Sequence, residues 1–250
     1  MTGAGARLRV KLTVARPRLA AAERALWTSP DPAREYVAYL VTMEAVVRAS
    51  VPLLEAALAR CSRLAPRDAV AVQLSAYLRR HSDEERGHDV WLREDLAAID
   101  GLDSTDGADG TENAANLAGR VPARMPDAAV ARLVGAQYYW LLHHHPACLL
   151  GYVAALEWHP APPGTAARLV ARTGLPAGAF RTLAHHSDID PGHGAELEAL
   201  LDSLPLSGAL EAAIGVSALH TVEAAALLFE RIASGGEQLA AIGPGARDEC

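Results

Sequence analysis

The chain has 250 residues, half of them hydrophobic and 21% charged, with a formal net charge of −7 at pH 7. That length suits one large domain with a substantial core, and the negative balance argues against nucleic acid or an anionic membrane surface as a partner. No apolar run is read as approaching the ~20 residues that cross a bilayer, and the basic start (Arg7, Arg9, Lys11, Arg16, Arg18) has no continuous apolar stretch for a signal peptide, so the expected compartment is the cytoplasm.

Strand patterns are nearly absent, and long Ala/Leu-rich stretches repeat apolar residues at helical spacing, which predicts a single all-α domain. Residues 1–30 read as an N-terminal, partly mobile segment, and 31–234 as the helical domain. Its first helix runs from about Pro32 to Arg63, capped by Asp31 and kinked at Pro52. A second begins near Pro66–Asp68 and continues through His88 to about Ile99. Gly101 to Asn113, rich in Gly and Asp, reads as a surface loop. Pro126 to Trp158 reads as a long apolar helix with a bend near Pro146, and Pro160–Gly164 as a turn. Shorter helices follow over about Thr165–Thr173 and Pro176–Ser187. Pro191–Gly192 interrupts the pattern, with Asp190 as a cap for the restart. A last helix spans about Ser207–Ala233, and 235–250 read as a flexible tail.

The chemistry concentrates in two clusters. Glu85-Arg-Gly-His88 places a carboxylate and an imidazole three residues apart, on one face if the helix is continuous. His186-x-x-x-Asp190-x-x-His193 aligns three further groups on a helical stripe. Imidazole and carboxylate are the usual donors to iron or manganese, and cysteine, which zinc sites often recruit, is missing from both clusters. A dinuclear bundle site also wants one carboxylate from each of two further helices. Glu157 closes an otherwise apolar stretch and fits that role. On the first helix the candidates are Glu44 and Glu55, although Arg48 at i+4 gives Glu44 an ordinary ion pair as an alternative. His81 is either a ligand, a supporting partner or structural, and Glu84 belongs to the same polar cluster.

Other polar and aromatic features read as structural. His143-His144-His145 point in three directions on a helix and are assigned to helix packing. Tyr138, Tyr139, Trp140 and Tyr152 read as core, as do Trp91 and Trp158, which also neighbour the ligand candidates. Cys61 and Cys148 read as small buried hydrophobes and Cys250 as a tail residue. The three form no paired framework, as in a reducing compartment.

Four stretches carry a resemblance to a known family: Arg48-Ala-Ser-Val-Pro-Leu53, His81 to Leu96, His145 to Glu157, and His186-Ser-Asp-Ile-Asp-Pro-Gly-His193. In them the sequence resembles the haem-oxygenase-like diiron oxidases and oxygenases, also called iron-containing redox enzymes. The resemblance implies a helical bundle of about seven helices, a homodimer, and metal ligands at Glu85, His88, Glu157, His186, Asp190 and His193, with Glu44 as the first-helix ligand. It also implies two iron ions per chain, O2 as co-substrate, and a small amino-acid-like or carboxylate substrate in specialised metabolism, with an external electron donor as a further partner. Leu78 stands where nitrogen-oxygenating relatives carry an extra carboxylate, which weighs against that outcome. The competing readings are a ferritin-like iron-handling protein, which His186 and the extra helices disfavour, and a metal-free helical binding module. A haem oxygenase proper would need one axial histidine and not this carboxylate set.

Overall fold

The computed structural model describes residues 3–100, 127–159 and 161–234, except for the side chains of Asp100 and of residues 188–191. The expected surface loop after Gly101 and the tail over 235–250 lie outside the described residues. Eleven α-helices form, with no strand among the described residues. They are α1 (Ala4–Ala15), α2 (Pro17–Trp27), α3 (Pro32–Arg48), α4 (Ser50–Leu64), α5 (Ala69–Glu84), α6 (His88–Asp100), α7 (Ala128–His143), α8 (Leu149–Glu157), α9 (Thr165–Thr173), α10 (Arg181–Ser203) and α11 (Gly208–Ala233). The resemblance implied about seven; proline and glycine divide three of the long runs.

Each division has a local cause. Asp31 caps α3 by accepting from the Arg34 amide. The break between α3 and α4 falls at Ala49, because Pro52 lacks the N–H that would bond the Arg48 carbonyl and its ring crowds that carbonyl. Between α5 and α6 the chain turns at Gly87, whose φ of +90° a side chain would resist. The continuous second helix expected from the sequence is therefore two. Near Pro146 the expected bend is a full break, with a 3-10 turn over Pro146–Cys148 before α8. There His145 accepts the Ala147 amide at Nδ1 and contacts Asp68 through Nε2 at 3.0 Å.

Two expectations are corrected. Residues 1–30, expected to be partly mobile, form α1 and α2, whose Leu8, Leu12, Leu19 and Leu26 are buried. Pairs such as Arg9–Glu198 and Arg7–Glu211, each at 2.6 Å, join α1 to α10 and α11. At Pro191, where a break was expected, α10 runs on without interruption, so Asp190 lies inside a helix and not at the start of one. The proline costs one backbone bond, which the buried Leu197 and Leu201 further along offset by packing.

At the centre stands α11, packed on α2, α7 and α8. By length and composition it and the α3–α4 run could span a membrane, a longer apolar stretch than the sequence reading allowed; in the fold, Ile214, Ala218, Val222 and Leu228 of α11 are core residues. At Gly151 the backbones of α8 and α11 touch: a Cβ there would lie 2.4 Å from the Ile214 carbonyl oxygen. A second core cluster joins α3, α6 and α9 to the 3-10 turn Ala177–Phe180, where Tyr36 stacks on Phe180 and donates to the Ala179 carbonyl.

Candidate metal centre

Four helix segments meet at one buried place. The last turn of α5 carries His81 and Glu84, and Glu85 caps it. After the turn at Gly87, His88 opens α6. Glu157 ends α8, and His186 and His193 lie two turns apart on α10. Because α5 stops at Glu84, Glu85 and His88 do not share a helix face as the sequence spacing predicted. The turn nevertheless holds Glu85 Oε1 3.5 Å from His88 Nδ1.

The residues form two adjoining groups. In the first, His81 Nε2 lies 3.1 Å from Glu157 Oε1, and His193 Nδ1 lies 3.9 Å from Glu157 Oε2. One donor atom from each of His81, Glu157 and His193 falls within 4.8 Å of the others, close enough to share an ion. Glu84 Oε2 faces both imidazoles at 3.8 Å. In the second group, the rings of His88 and His186 meet at 5.1 Å, edge to face, beside Glu85. His186 Nδ1 lies 2.9 Å from the Thr182 carbonyl; a carbonyl only accepts, so Nδ1 carries the proton and Nε2 offers its lone pair.

The electrostatics tie the groups together. Burial pushes the Glu85 carboxyl up, but the close approach of the His88 ring, with the charges of His81 and His186, outweighs it and holds the group below its ordinary range. Burial works to lower His81, yet Glu157, Glu85 and Glu84 raise it. His186 is lowered by burial and by its neighbours His88 and His185. Glu157 Oε2 and His88 Nδ1 are buried without a hydrogen-bond partner. A buried carboxylate oxygen and a buried imidazole nitrogen left without a hydrogen bond cost free energy unless something binds them. Imidazole and carboxylate donors suit iron. The residues present therefore fit such an ion.

Five sequence candidates thus come together: Glu85, His88, Glu157, His186 and His193. Glu44 does not join them. It is 4% exposed, and its Oε1 accepts from Arg93 at 3.1 Å with Arg48 at 3.6 Å, so the ion-pair alternative describes it. Glu55 pairs with Arg86 on the surface. Asp190 is on α10 one turn before His193, with its side chain outside the described residues. His81 and Glu84, whose part the sequence leaves open, stand at the same place. Their signal is the spacing from His81 to Glu84, which puts both on the last turn of one helix, directly before Glu85.

Of the aromatic candidates, Trp91 stacks on His88 with ring centroids 4.2 Å apart, and Trp158 donates to the Gly194 carbonyl. Tyr152 is core, but Tyr139, expected there too, is 53% exposed. His143 and His144 are exposed, so only His145 of that run packs between segments. Cys61 and Cys148 are buried free thiols.

His81, Glu85, Glu157 and His186 line a cavity of about 980 Å³ whose other walls are mainly apolar. Tyr152, 5% exposed, stands beside them, and burial raises its hydroxyl above the ordinary range. The arrangement places open donor atoms against a space large enough for an organic molecule.

Comparison with known proteins agrees with that picture. The sequence pattern of the family described as iron-containing redox enzymes matches residues 37–226. A solved domain of unknown function with a haem oxygenase-like fold, from Shewanella denitrificans OS217, superposes with a TM-score of 0.61 at 17% identity, covering 94% of this chain and 89% of that one. At that identity the likeness concerns the fold. The search of curated proteins gives no match.

Proposed function

Because the chain belongs to the family of iron-containing redox enzymes, an oxidoreductase class, we propose that it is an O2-dependent non-haem diiron oxidase or oxygenase acting on an organic carboxylate. The observation that carries this reading is the meeting of His81, Glu157 and His193 with Glu85, His88 and His186 at the buried end of a large apolar cavity. His81, Glu157 and His193 would hold one ion and Glu85, His88 and His186 the other, with Asp190 an additional donor by its place on α10. When bound, ferrous iron would supply the activation of O2, which carries the oxidising equivalents.

The rest is done by the protein. Thr182 fixes the tautomer of His186. Apolar walls such as Leu53, Leu149 and Val153 limit water in the cavity. His81 shares a proton with Glu157 in the metal-free protein and must release it to become a donor, so loading is coupled to proton release. An amino-acid substrate would leave most of this cavity empty, so a larger, apolar acid is favoured. The size and mainly apolar walls of this space argue for an organic substrate and against iron storage.

The test is oxygen uptake. Protein loaded anaerobically with ferrous iron should consume O2 faster when an apolar carboxylic acid is present, and His186→Ala should abolish the stimulation. Uptake that no organic acid stimulates, with iron accumulating as ferric mineral, would favour the iron-handling reading.

A further inference from the structure

Glu157 and His193 face each other from two different helices, and the space between them has to be set by something other than their own side chains. Glu157 is the last residue of α8, with no further helical turn behind it, so its helix holds it on one side only. The next residue, Trp158, supplies the other hold. It is buried, and its indole N–H donates to the Gly194 carbonyl of α10 at 2.9 Å. Gly194 directly follows His193, so this bond ties the residue after one candidate donor to the residue after the other. The fit is close: a Cβ at Gly194 would lie 3.0 Å from Trp158 Cδ1.

From its other side α1 closes on the indole. Arg9 lays its guanidinium over the Trp158 ring, 4.4 Å from the centroid, and its Nη2 donates to Glu198 Oε2 at 2.6 Å. Glu198 stands one turn after Gly194 on α10, and one turn further Asp202 accepts the Gly5 amide at 2.8 Å. Gly194, Glu198 and Asp202 thus form one stripe of α10, and Gly5 and Arg9, one turn apart on α1, dock along it. The two helices approach closely there, since a Cβ at Gly5 would lie 2.7 Å from Glu198 Cγ. A ring held between a guanidinium and a helix backbone, with its one donor in use, is fixed in orientation. We propose that Trp158, clamped by Arg9, is a positioning residue of the metal centre: it sets the distance between Glu157 and His193, and so the ion-binding group they form with His81. The inference rests on the metal reading given above. Donors held by outside partners bind an ion more tightly than the same donors left free, and losing such a partner costs ~10–100-fold in affinity.

Anaerobic calorimetric titration of the full chain with ferrous iron reads the affinity ion by ion. Trp158→Phe, which keeps an aromatic ring and loses the N–H, should weaken one of the two ions about tenfold and leave the other unchanged. The weakened ion should be the one that His81→Ala removes. Trp158→Phe should therefore add nothing in a His81→Ala chain and keep its full effect in a His186→Ala chain. Gly194→Ala should act in the same direction, although alanine is the better helix former, because its methyl displaces the indole. Should Trp158→Phe fail to fold by circular dichroism, Gly194→Ala and Arg9→Gln carry the same test. A role confined to stability would lower the urea midpoint of these variants and leave both affinities as in the parent chain. That result, or equal weakening of both ions, would overturn the proposal and leave the metal reading standing. A parent chain that takes up no ferrous iron overturns the metal reading, and this inference with it.

Discussion

Glu44 and Glu157 both interrupt apolar helical stretches, and the structure gives them opposite surroundings. Two arginines face Glu44, while Glu157 has two imidazoles and one oxygen without a partner. Glu44→Gln should therefore leave ferrous uptake unchanged and cost about 1 kcal/mol of stability, whereas Glu157→Gln should lower uptake; metal analysis with urea unfolding of both variants checks this. His159, two residues beyond Glu157, carries a pH dependence. Burial, with the charges of Arg16 and Arg9, pushes its pKa down to about 4. The unfolded chain, with an ordinary histidine pKa of ~6.5, binds the extra proton first. Stability should be intact above that value and fall as pH drops from about 6.5 to 4. In His159→Gln that part of the decline should be missing from urea midpoints measured across the range, and an unchanged profile would contradict the assignment.

At the scale of elements, α10 carries His186 and His193 but has no side-chain cap of its own at Phe180. Asp95 of α6, fully buried, supplies the acceptor instead, its Oδ2 receiving the Thr182 amide at 3.0 Å. The Thr182 carbonyl in turn holds His186. Asp95→Ala should cost about 1–2 kcal/mol, the usual loss for a helix cap, and Asp95→Asn clearly less, since an amide oxygen can still accept. Unfolding by urea measures both. None of this bracing was legible in the sequence, because a cap supplied by another helix leaves no local pattern. What was legible is what depends on neighbours along the chain: the Asp31 cap, the helix over Thr165–Thr173 and the last helix over Gly208–Ala233. The run through Pro191 went the other way, with tertiary packing overriding the local preference that suggested a break. Likewise, the basic composition of residues 1–30 hid α1 and α2, whose leucines find their core only in the folded bundle.

For the whole molecule, the all-α haem-oxygenase-like architecture followed from helical periodicity, the lack of strand patterns and the resemblance carried by the two ligand clusters. Residue types and the resemblance also pointed to Glu85, His88, Glu157, His186 and His193 together, although Glu85 and His88 meet across the turn at Gly87 and not on one helix face. The role of His81 was not legible, because a histidine on the last turn of a helix looks the same whether it faces solvent or the Glu157 carboxylate. The cavity could not be read at all, since its walls come from helices far apart in sequence. The central claim is that these groups hold two iron ions. Anaerobic titration with ferrous iron, followed by metal analysis of the desalted protein, tests it most directly. The account predicts two equivalents per chain, with fewer in His81→Ala and in His186→Ala. No uptake by the parent chain, or full uptake by both variants, would contradict it.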